Sequence, residues 1–308
     1  MAFNIFIDGG AGTTGLEIAE RLEGREEFSL VRLSDAERKD PDCRRTALNF
    51  ADFVILCLPD DAAREAVAMI APDAGTRIID ASTAHRTAPG WIYGFPEVVG
   101  REVVAGAKRV SNPGCYSTGF IALMTPLIRA GLLPREWPYT VNAVSGFSGG
   151  GKGLITRYKD EPDLAFRTYG LDLAHKHLPE MQARTGLEHP PVFAPSVVPA
   201  FRGMVVEVPL PIEAMRKAAP PARLRDCLAQ AYAEARTIAV HEDCPDEIVL
   251  RADMPPSDRI DIYVCADAAG KTARLIAVLD NLGKGASGAA VQSLNLMAGC
   301  DEYAGLRL

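Results

Sequence analysis

Apolar residues along this chain fall either into short unbroken runs or into stretches with the three-to-four-residue spacing of a helix face. Phe3-Asn4-Ile5-Phe6-Ile7-Asp8 reads as a buried strand, and Leu16, Ile18, Ala19 and Leu22 predict an amphipathic helix behind it. A second strand is expected from Phe28 to Leu33. A third runs through Phe53-Val54-Ile55-Leu56-Cys57-Leu58 to a stop at Pro59, with a helix through Ala66, Val67 and Ile70, and a fourth spans Thr76 to Asp80. Strands that are apolar throughout and alternate with helices belong in a parallel sheet covered on both faces. Another helix is predicted from Cys115, after Asn112-Pro113-Gly114, carried by Phe120, Ile121, Leu123, Met124, Leu127 and Ile128.

Beyond Pro134-Arg135-Glu136-Trp137-Pro138 the character changes. Strands are expected at Tyr139 to Val144, Met204 to Leu210, Arg259 to Ala266 and Arg274 to Asp280, with a helix around Ala222 to Ala235. Strands clustered without regular crossovers imply an α+β unit on a mixed sheet. A helix of small residues then opens after Asp280-Asn281-Leu282-Gly283-Lys284-Gly285 and runs to Met297.

At 308 residues and 48% hydrophobic content the chain can bury two cores. Its net charge of −7, without a basic stripe, argues against a nucleic-acid partner, so an anionic ligand must be held by helix N-termini and single cations. Seven cysteines, an odd number with no C-x-x-C pair, suggest neither a disulfide framework nor a zinc site and point to a reducing compartment. The sequence enters its first strand at once and has no apolar stretch of bilayer-spanning length. A cytoplasmic protein that binds neither membrane nor metal is the expectation.

The first strand leads into Gly9-Gly10-Ala11-Gly12-Thr13-Thr14-Gly15 and then a helix, the context a dinucleotide fingerprint requires. Gly9, Gly12 and Gly15, with Thr13 and Thr14, would bring main chain close to a pyrophosphate at the helix N-terminus. This makes the first half an α/β Rossmann domain. After the second strand, Asp35 would suit the ribose hydroxyls of NAD, whereas Ser34 and Arg38 would suit the additional phosphate of NADP; NADP is the expectation, against a merely solvated loop. The domain limits expected are 1–114 plus 285–308 for the cofactor domain and 115–284 for the substrate domain.

Cys115, at the start of a helix, meets unpaired N–H groups and the positive end of the helix dipole, which favour thiolate and would steady an oxyanion beside it. It is the candidate nucleophile, weighed against the commoner role of cysteine as a small core residue. In His175-Lys176-His177-Leu178-Pro179-Glu180, a helix starting near Pro179 would set Glu180 one turn beyond His177, as a carboxylate partner for an acid-base imidazole. Gly146 to Lys152 has the spacing of a nucleotide phosphate loop, but Gly153 stands where such a loop needs Ser or Thr for magnesium. Residues 145–153 are therefore expected to be a flexible loop. Arg86, in the exit loop of the fourth strand, is a candidate for a substrate anion.

A dinucleotide domain with a nucleophilic cysteine and a histidine suggests hydride chemistry on an acyl group through a thioester. Ser111-Asn112-Pro113-Gly114-Cys115-Tyr116, Ser145 to Lys152, His175 to Glu180 and Asp280 to Ala286 together resemble the shorter form of the N-acetyl-gamma-glutamyl-phosphate reductase family. The resemblance implies NADPH-dependent reduction of N-acetyl-L-glutamyl 5-phosphate to the 5-semialdehyde in arginine biosynthesis, by a homo-oligomer acting on a small molecule. It also implies a Rossmann domain, a substrate domain and a last helix returning to the first. It puts the nucleophile on Cys115 and the acid-base group on His177, with His175 an alternative and Glu180 orienting the ring. Asn112, Ser145, Gly146, Arg86 and Arg202 are expected toward the substrate, and Lys284 and Gly285 toward the cofactor. Gly-Gly-Ala-Gly-Thr-Thr-Gly departs from the usual fingerprint of the family. Rival readings are an aspartate-semialdehyde dehydrogenase or another acyl-phosphate reductase and, more remotely, a phosphotransferase using the glycine loop.

Overall fold

The computed structural model describes residues 2–308. Internal contacts divide the chain into two compact units, one formed by the residues up to Pro113 with Ala286–Leu306, the other by Gly114–Gly285 with Arg307–Leu308.

In the first unit the order is β1 (Phe3–Asp8), α1 (Thr13–Leu22), β2 (Phe28–Val31), α2 (Pro41–Phe50), β3 (Phe53–Leu56), α3 (Asp60–Met69), β4 (Arg77–Asp80), β5 (Ile92–Tyr93), the short α4 (Pro96–Val99) and α5 (Arg101–Ala105), and β6 (Arg109–Ser111). The six strands form one parallel sheet ordered β2-β1-β3-β4-β6-β5, with Phe3 opposite Phe28 and Asp8 opposite Leu56. Successive side chains point to opposite faces: Ile5, Ile55 and Ile79 join one apolar cluster, and Phe6, Val54, Leu56 and Ile78 the other. Both faces being covered is why these strands are apolar throughout. Strand order reverses between β1 and β3, and the glycine turn after β1 opens at that switch point.

The second unit begins with α6 (Cys115–Arg129), followed by β7 (Thr140–Gly146), α7 (Gly151–Asp160), β8 (Arg167–Thr168), α8 (Leu178–Thr185), β9 (Val192–Val198), β10 (Met204–Leu210), α9 (Pro221–Ala231), β11 (Ile238–Val240), β12 (Ile260–Ala266) and β13 (Ala273–Leu279). Its seven strands are ordered β11-β12-β13-β10-β7-β9-β8; β7 with β9 and β11 with β12 are parallel and the other pairs antiparallel, a mixed sheet. Helix α6 is buried from Tyr116 to Thr125 and again at Leu127 and Ile128. Gly119 lets it approach the sheet, because a Cβ there would lie 2.8 Å from Val206 Cγ2. The last helix, α10 (Gly288–Ala298), belongs to the first unit and adds Ala290, Val291 and Leu294 to the cluster around Ile5.

Several expectations need correction. Residues 145–153 are not a flexible loop: β7 runs through Gly146, a 3-10 turn spans Phe147–Gly150, and α7 starts at Gly151. The amides of Gly146, Phe147 and Ser148 donate to the carbonyls of Gly203, Ala200 and Phe201 at 2.8, 2.8 and 3.1 Å. Amides so engaged cannot cradle a phosphate, which removes the phosphate-loop reading. The cysteine count also misled, since Cys244 and Cys265 form a disulfide across a sequence separation of 21. Strand β9 was not foreseen because Pro195 interrupts its apolar run, and proline demotes a strand by removing a ladder donor.

Replacing Gly119 with Val should overpack the contact between α6 and β10 and cost about 1–3 kcal/mol of stability, read as a lower urea midpoint; an unchanged midpoint would mean that this contact is loose.

Candidate active site

The chemistry-bearing residues of the second unit gather where α6 and α8 begin. Cys115 is the first residue of α6 and is partly exposed, while the helix behind it is buried. Thr118 closes the first turn by donating its amide and hydroxyl to the Gly114 carbonyl at 2.8 and 3.0 Å. The amides ahead of it have no acceptor inside the helix, so this end offers donors and a positive dipole to a thiolate or an oxyanion.

Helix α8 and the residue before it carry the candidate acid-base groups. His177 is its N-terminal flanking residue and Pro179 lies in its first turn, so Glu180 faces back toward the helix start. His177 is 5% exposed and Glu180 1%. Glu180 Oε1 stands 4.0 Å from His177 Nε2, an ion-pair distance too long for a hydrogen bond, and Oε2 accepts the Gly114 amide at 3.2 Å. This carboxylate therefore ties the residue before the thiol to the helix that carries the imidazole. Nδ1 of His175 accepts the His177 amide at 3.1 Å, which fixes Nε2 as the protonated nitrogen of a neutral His175 ring. The two imidazoles meet edge to face at 4.7 Å, and the Tyr116 ring lies against both.

Sequence reasoning missed the phenols, for which spacing offered no signal. The Tyr116 hydroxyl donates to the Ser196 carbonyl at 3.1 Å and is hydrogen-bonded to Tyr169. Burial, then the charges of Tyr169 and Cys115, push Tyr116 far above the usual phenol range. Tyr169 is pushed up to about 12, chiefly by burial. Both stay protonated at neutral pH.

Asp280 and Asn281 also do more than mark a motif. Asp280 Oδ2 pairs with Arg202 Nη1 at 2.9 Å and accepts the Ser257 amide at 3.2 Å; Oδ1 accepts the Leu282 amide at 2.9 Å. Asn281 accepts the Gly203 amide at 3.0 Å and donates to Ser148 Oγ at 2.9 Å, pinning the glycine run beside Arg202. The Ser145 hydroxyl donates to the Gly146 carbonyl at 2.9 Å. Gly285 lies in a π-helical turn, Gly283–Ser287, where a Cβ would come within 3.0 Å of Cys115 Cβ. Lys284, next to it, is 1% exposed. Within this unit Gly285 thus neighbours Cys115, the candidate nucleophile.

The first unit carries the other residues. At the switch point Gly9 has φ +84°, and a Cβ there would fall 2.3 Å from the Cys57 carbonyl oxygen. Gly15 packs against the Gly9–Gly10 main chain, and Gly12, Thr13 and Thr14 open α1. Ser34 and Arg38 lie on an exposed turn: Ser34 and Glu37 cap one another, and Arg38 is paired with Asp35. Arg86 is 7% exposed, with Nε donating to the Asn112 carbonyl at 3.0 Å and Nη2 to the Ala81 carbonyl at 3.3 Å, so it clamps the exits of β4 and β6. Asn112 Nδ2 donates to the Ala286 carbonyl at 2.9 Å. Also unforeseen was the buried Asp80, whose Oδ2 lies 2.6 Å from His85 Nδ1, with His85 stacked on Trp91. Among the described residues no group of His, Cys, Asp or Glu is arranged to hold a metal, and no helix is long and apolar enough to cross a membrane.

Burial raises the thiols of Cys43, Cys57, Cys227 and Cys300, Cys57 to about 12. Iodoacetamide at neutral pH should therefore modify Cys115 first, one equivalent accompanying inactivation; peptide mass mapping that finds another cysteine labelled first would contradict this. The phenols predict a pH effect. Tyr169 titrates near 10 when unfolded and about 12 when folded, so its contribution is complete below pH 10 and is lost as the pH rises toward 12. Urea midpoints should fall over that window, less steeply for Tyr169→Phe.

Residues 4–107 match the family described as "Semialdehyde dehydrogenase, NAD binding domain" and residues 115–281 the one described as "Semialdehyde dehydrogenase, dimerisation domain". The chain is 46% identical to a protein of Trichormus variabilis named N-acetyl-gamma-glutamyl-phosphate reductase, over 98% of each. A protein of the same name from Burkholderia lata is also 46% identical, over 97% of this chain and 98% of its own. Among solved structures, aspartate semialdehyde dehydrogenase II of Vibrio cholerae, complexed with ASA, aligns over 97% of this chain and 99% of its own with a TM-score of 0.69 at 18% identity, a likeness of fold alone. The chain belongs to the semialdehyde dehydrogenase family and, within it, to the N-acetyl-gamma-glutamyl-phosphate reductases.

Proposed function

We propose that this chain reduces N-acetyl-L-glutamyl 5-phosphate with NADPH to N-acetyl-L-glutamate 5-semialdehyde and phosphate, a step of arginine biosynthesis. The observation that carries the chemistry is Cys115 at the open end of a buried helix, tied through Gly114 and Glu180 to the helix that bears His177. The identity of the acyl group rests on the names of the relatives at 46% identity.

The first unit fits a dinucleotide. A side chain at Gly9 or Gly15 would collide with main chain, so the turn is built for a close backbone approach. Gly12, Thr13, Thr14 and Gly15 would hold the pyrophosphate, and Ser34 and Arg38 the additional phosphate of NADP, once Arg38 exchanges Asp35 for it. When bound, the nicotinamide supplies the hydride.

The side chains perform the remaining steps. The Cys115 thiolate attacks the acyl carbon, phosphate departs with the electron pair of its C–O bond, and a thioester remains. First-turn amides of α6 stabilise the oxyanion of each tetrahedral intermediate. After reduction His177 gives a proton to the oxyanion and takes it back as the C–S bond breaks, releasing aldehyde and the Cys115 thiolate. Arg202 and Arg86 would take the substrate's anionic groups, with Asn112, Ser145 and Gly146 around the reacting acyl group. The bond from the His177 amide to His175 Nδ1 favours His175 as a support for the acid-base residue. The match of 115–281 to a dimerisation domain supports a homo-oligomer, dimeric or tetrameric; its place of work is proposed to be the cytoplasm.

The test is phosphate-dependent reduction of NADP by N-acetylglutamate semialdehyde, run beside aspartate semialdehyde. Cys115→Ser should abolish it while NADP binding persists, and His177→Asn should lower kcat by about 10²–10⁴-fold. Faster turnover of the aspartate analogue would replace the substrate; activity surviving in Cys115→Ser would overturn the mechanism.

A further inference from the structure

The cysteine pair of the second unit is used by no step above. Cys244 is exposed at the start of a segment, residues 241–258, that has no regular secondary structure, and its disulfide to Cys265 fastens that start to β12. The far end of the segment reaches the proposed anion-holding pair. The Ser257 amide donates to the same Asp280 oxygen that holds Arg202, at 3.2 Å. Between these points Leu250 and Met254 lie on Gly203, the residue after Arg202, within 3.2 and 3.5 Å of where a Cβ would stand. The Ser257 carbonyl is jammed against Gly283, whose Cβ position would be only 1.8 Å from it, at the start of the turn that backs Cys115. One covalent tether thus joins a loop that touches Asp280 and Gly203, on either side of the Arg202 pairing, and Gly283 in the turn that backs Cys115.

We propose that Cys244 and Cys265 form a reversible thiol–disulfide site whose oxidised state holds residues 241–258 over the Arg202–Asp280 pair and so strengthens binding of the acyl substrate. Disulfides that occur in a reducing cytosol are mostly transient or redox-sensing rather than structural. The exposed Cys244 is open to attack by an incoming thiol, and the departing Cys265 thiolate borders a cavity of about 480 Å³ lined also by Leu210, Pro211 and Arg274. The reductant is a dithiol. One of its thiolates attacks Cys244 Sγ, and Cys265 leaves as a thiolate that takes up a proton. The second thiol then displaces Cys244, so that two electrons and two protons end on the cysteine pair and the dithiol closes to a disulfide. With the tether cut, Leu250 and Met254 leave Gly203, while Ser257 stays on Asp280 because its neighbour Asp258 is held by Arg307. Water then reaches the Arg202–Asp280 pair and screens the cation.

This inference rests on the reading of Arg202 as an anion anchor, and the test separates the two. Protein purified without reductant, then unfolded and alkylated with iodoacetamide, should carry five labels, and seven after dithiothreitol, from five free cysteines among seven. Dithiothreitol should raise KM for N-acetylglutamate semialdehyde about fivefold, a change of about 1 kcal/mol, with KM for NADP unchanged. Cys244→Ser and Cys265→Ser should show the raised KM with or without dithiothreitol. Seven labels before reduction, equal KM in both states, or serine variants that still respond to dithiothreitol would each overturn the switch. Arg202→Ala should raise KM in either state; if it does not, the anchor reading fails, and if it does while reduction has no effect, only the switch fails.

Discussion

A helix that is buried on every face has only its ends left for chemistry, and the second unit is organised around that constraint. Helix α6 is enclosed by β10, β13, α8 and α9, and Gly119 allows it to lie flat on the sheet. Its dipole and the amides that have no acceptor within the helix therefore emerge at one point, the turn that carries Cys115. Were α6 amphipathic and superficial, water would satisfy those amides and screen the dipole. Burial of the rest of the helix makes its first residue an electrostatic site.

The second requirement is that the acid-base group keep a fixed relation to that thiol. The structure meets it with main-chain contacts: Glu180 holds the Gly114 amide and His175 holds the His177 amide. Packing of Tyr116 and Phe193 against the imidazoles adds rigid aromatic walls. The same economy recurs at Asp280 and Asn281. Two adjacent side chains hold Arg202, the 203 turn, the 148 turn and the segment ending at Ser257.

The first unit obeys a simpler logic. A parallel sheet covered on both faces exposes only strand ends, and the reversal of strand order between β1 and β3 opens one crevice there. Gly9 tolerates no side chain in that crevice, because its φ is positive and the Cys57 carbonyl occupies the place of a Cβ, and Gly15 tolerates none because the Gly9–Gly10 main chain lies against it. Helix α10 completes the core from far along the chain. Two of its buried polar residues bond to other parts of the unit: Gln292 to Glu97 and Glu302, and Asn295 to Arg25 and the Ala304 carbonyl.

Local sequence determined whatever depends on neighbours along the chain. The apolar runs of β1, β3 and β4 fix a two-faced parallel sheet, and Pro-Gly before Cys115 fixes where α6 starts, because periodicity and turn chemistry act over a few residues. Tertiary structure decided where partners are distant or where a side chain has several possible uses. The glycine run at 145–153 could be a mobile loop or a phosphate cradle until the carbonyls of 200–203 take its amides. Arg86 is a candidate anchor by residue type and place in the chain, and only the fold shows that its guanidinium also holds the Asn112 and Ala81 carbonyls. Glu180 is an imidazole partner by its spacing from His177, and only the fold shows that its other oxygen holds the Gly114 amide. Cys244 and Cys265 are two of seven thiols until β12 and its preceding segment bring them together. In each case the residue type sets what bonds are possible, and only the fold decides which of them is made, since hydrogen-bond partners far apart in sequence are chosen by packing.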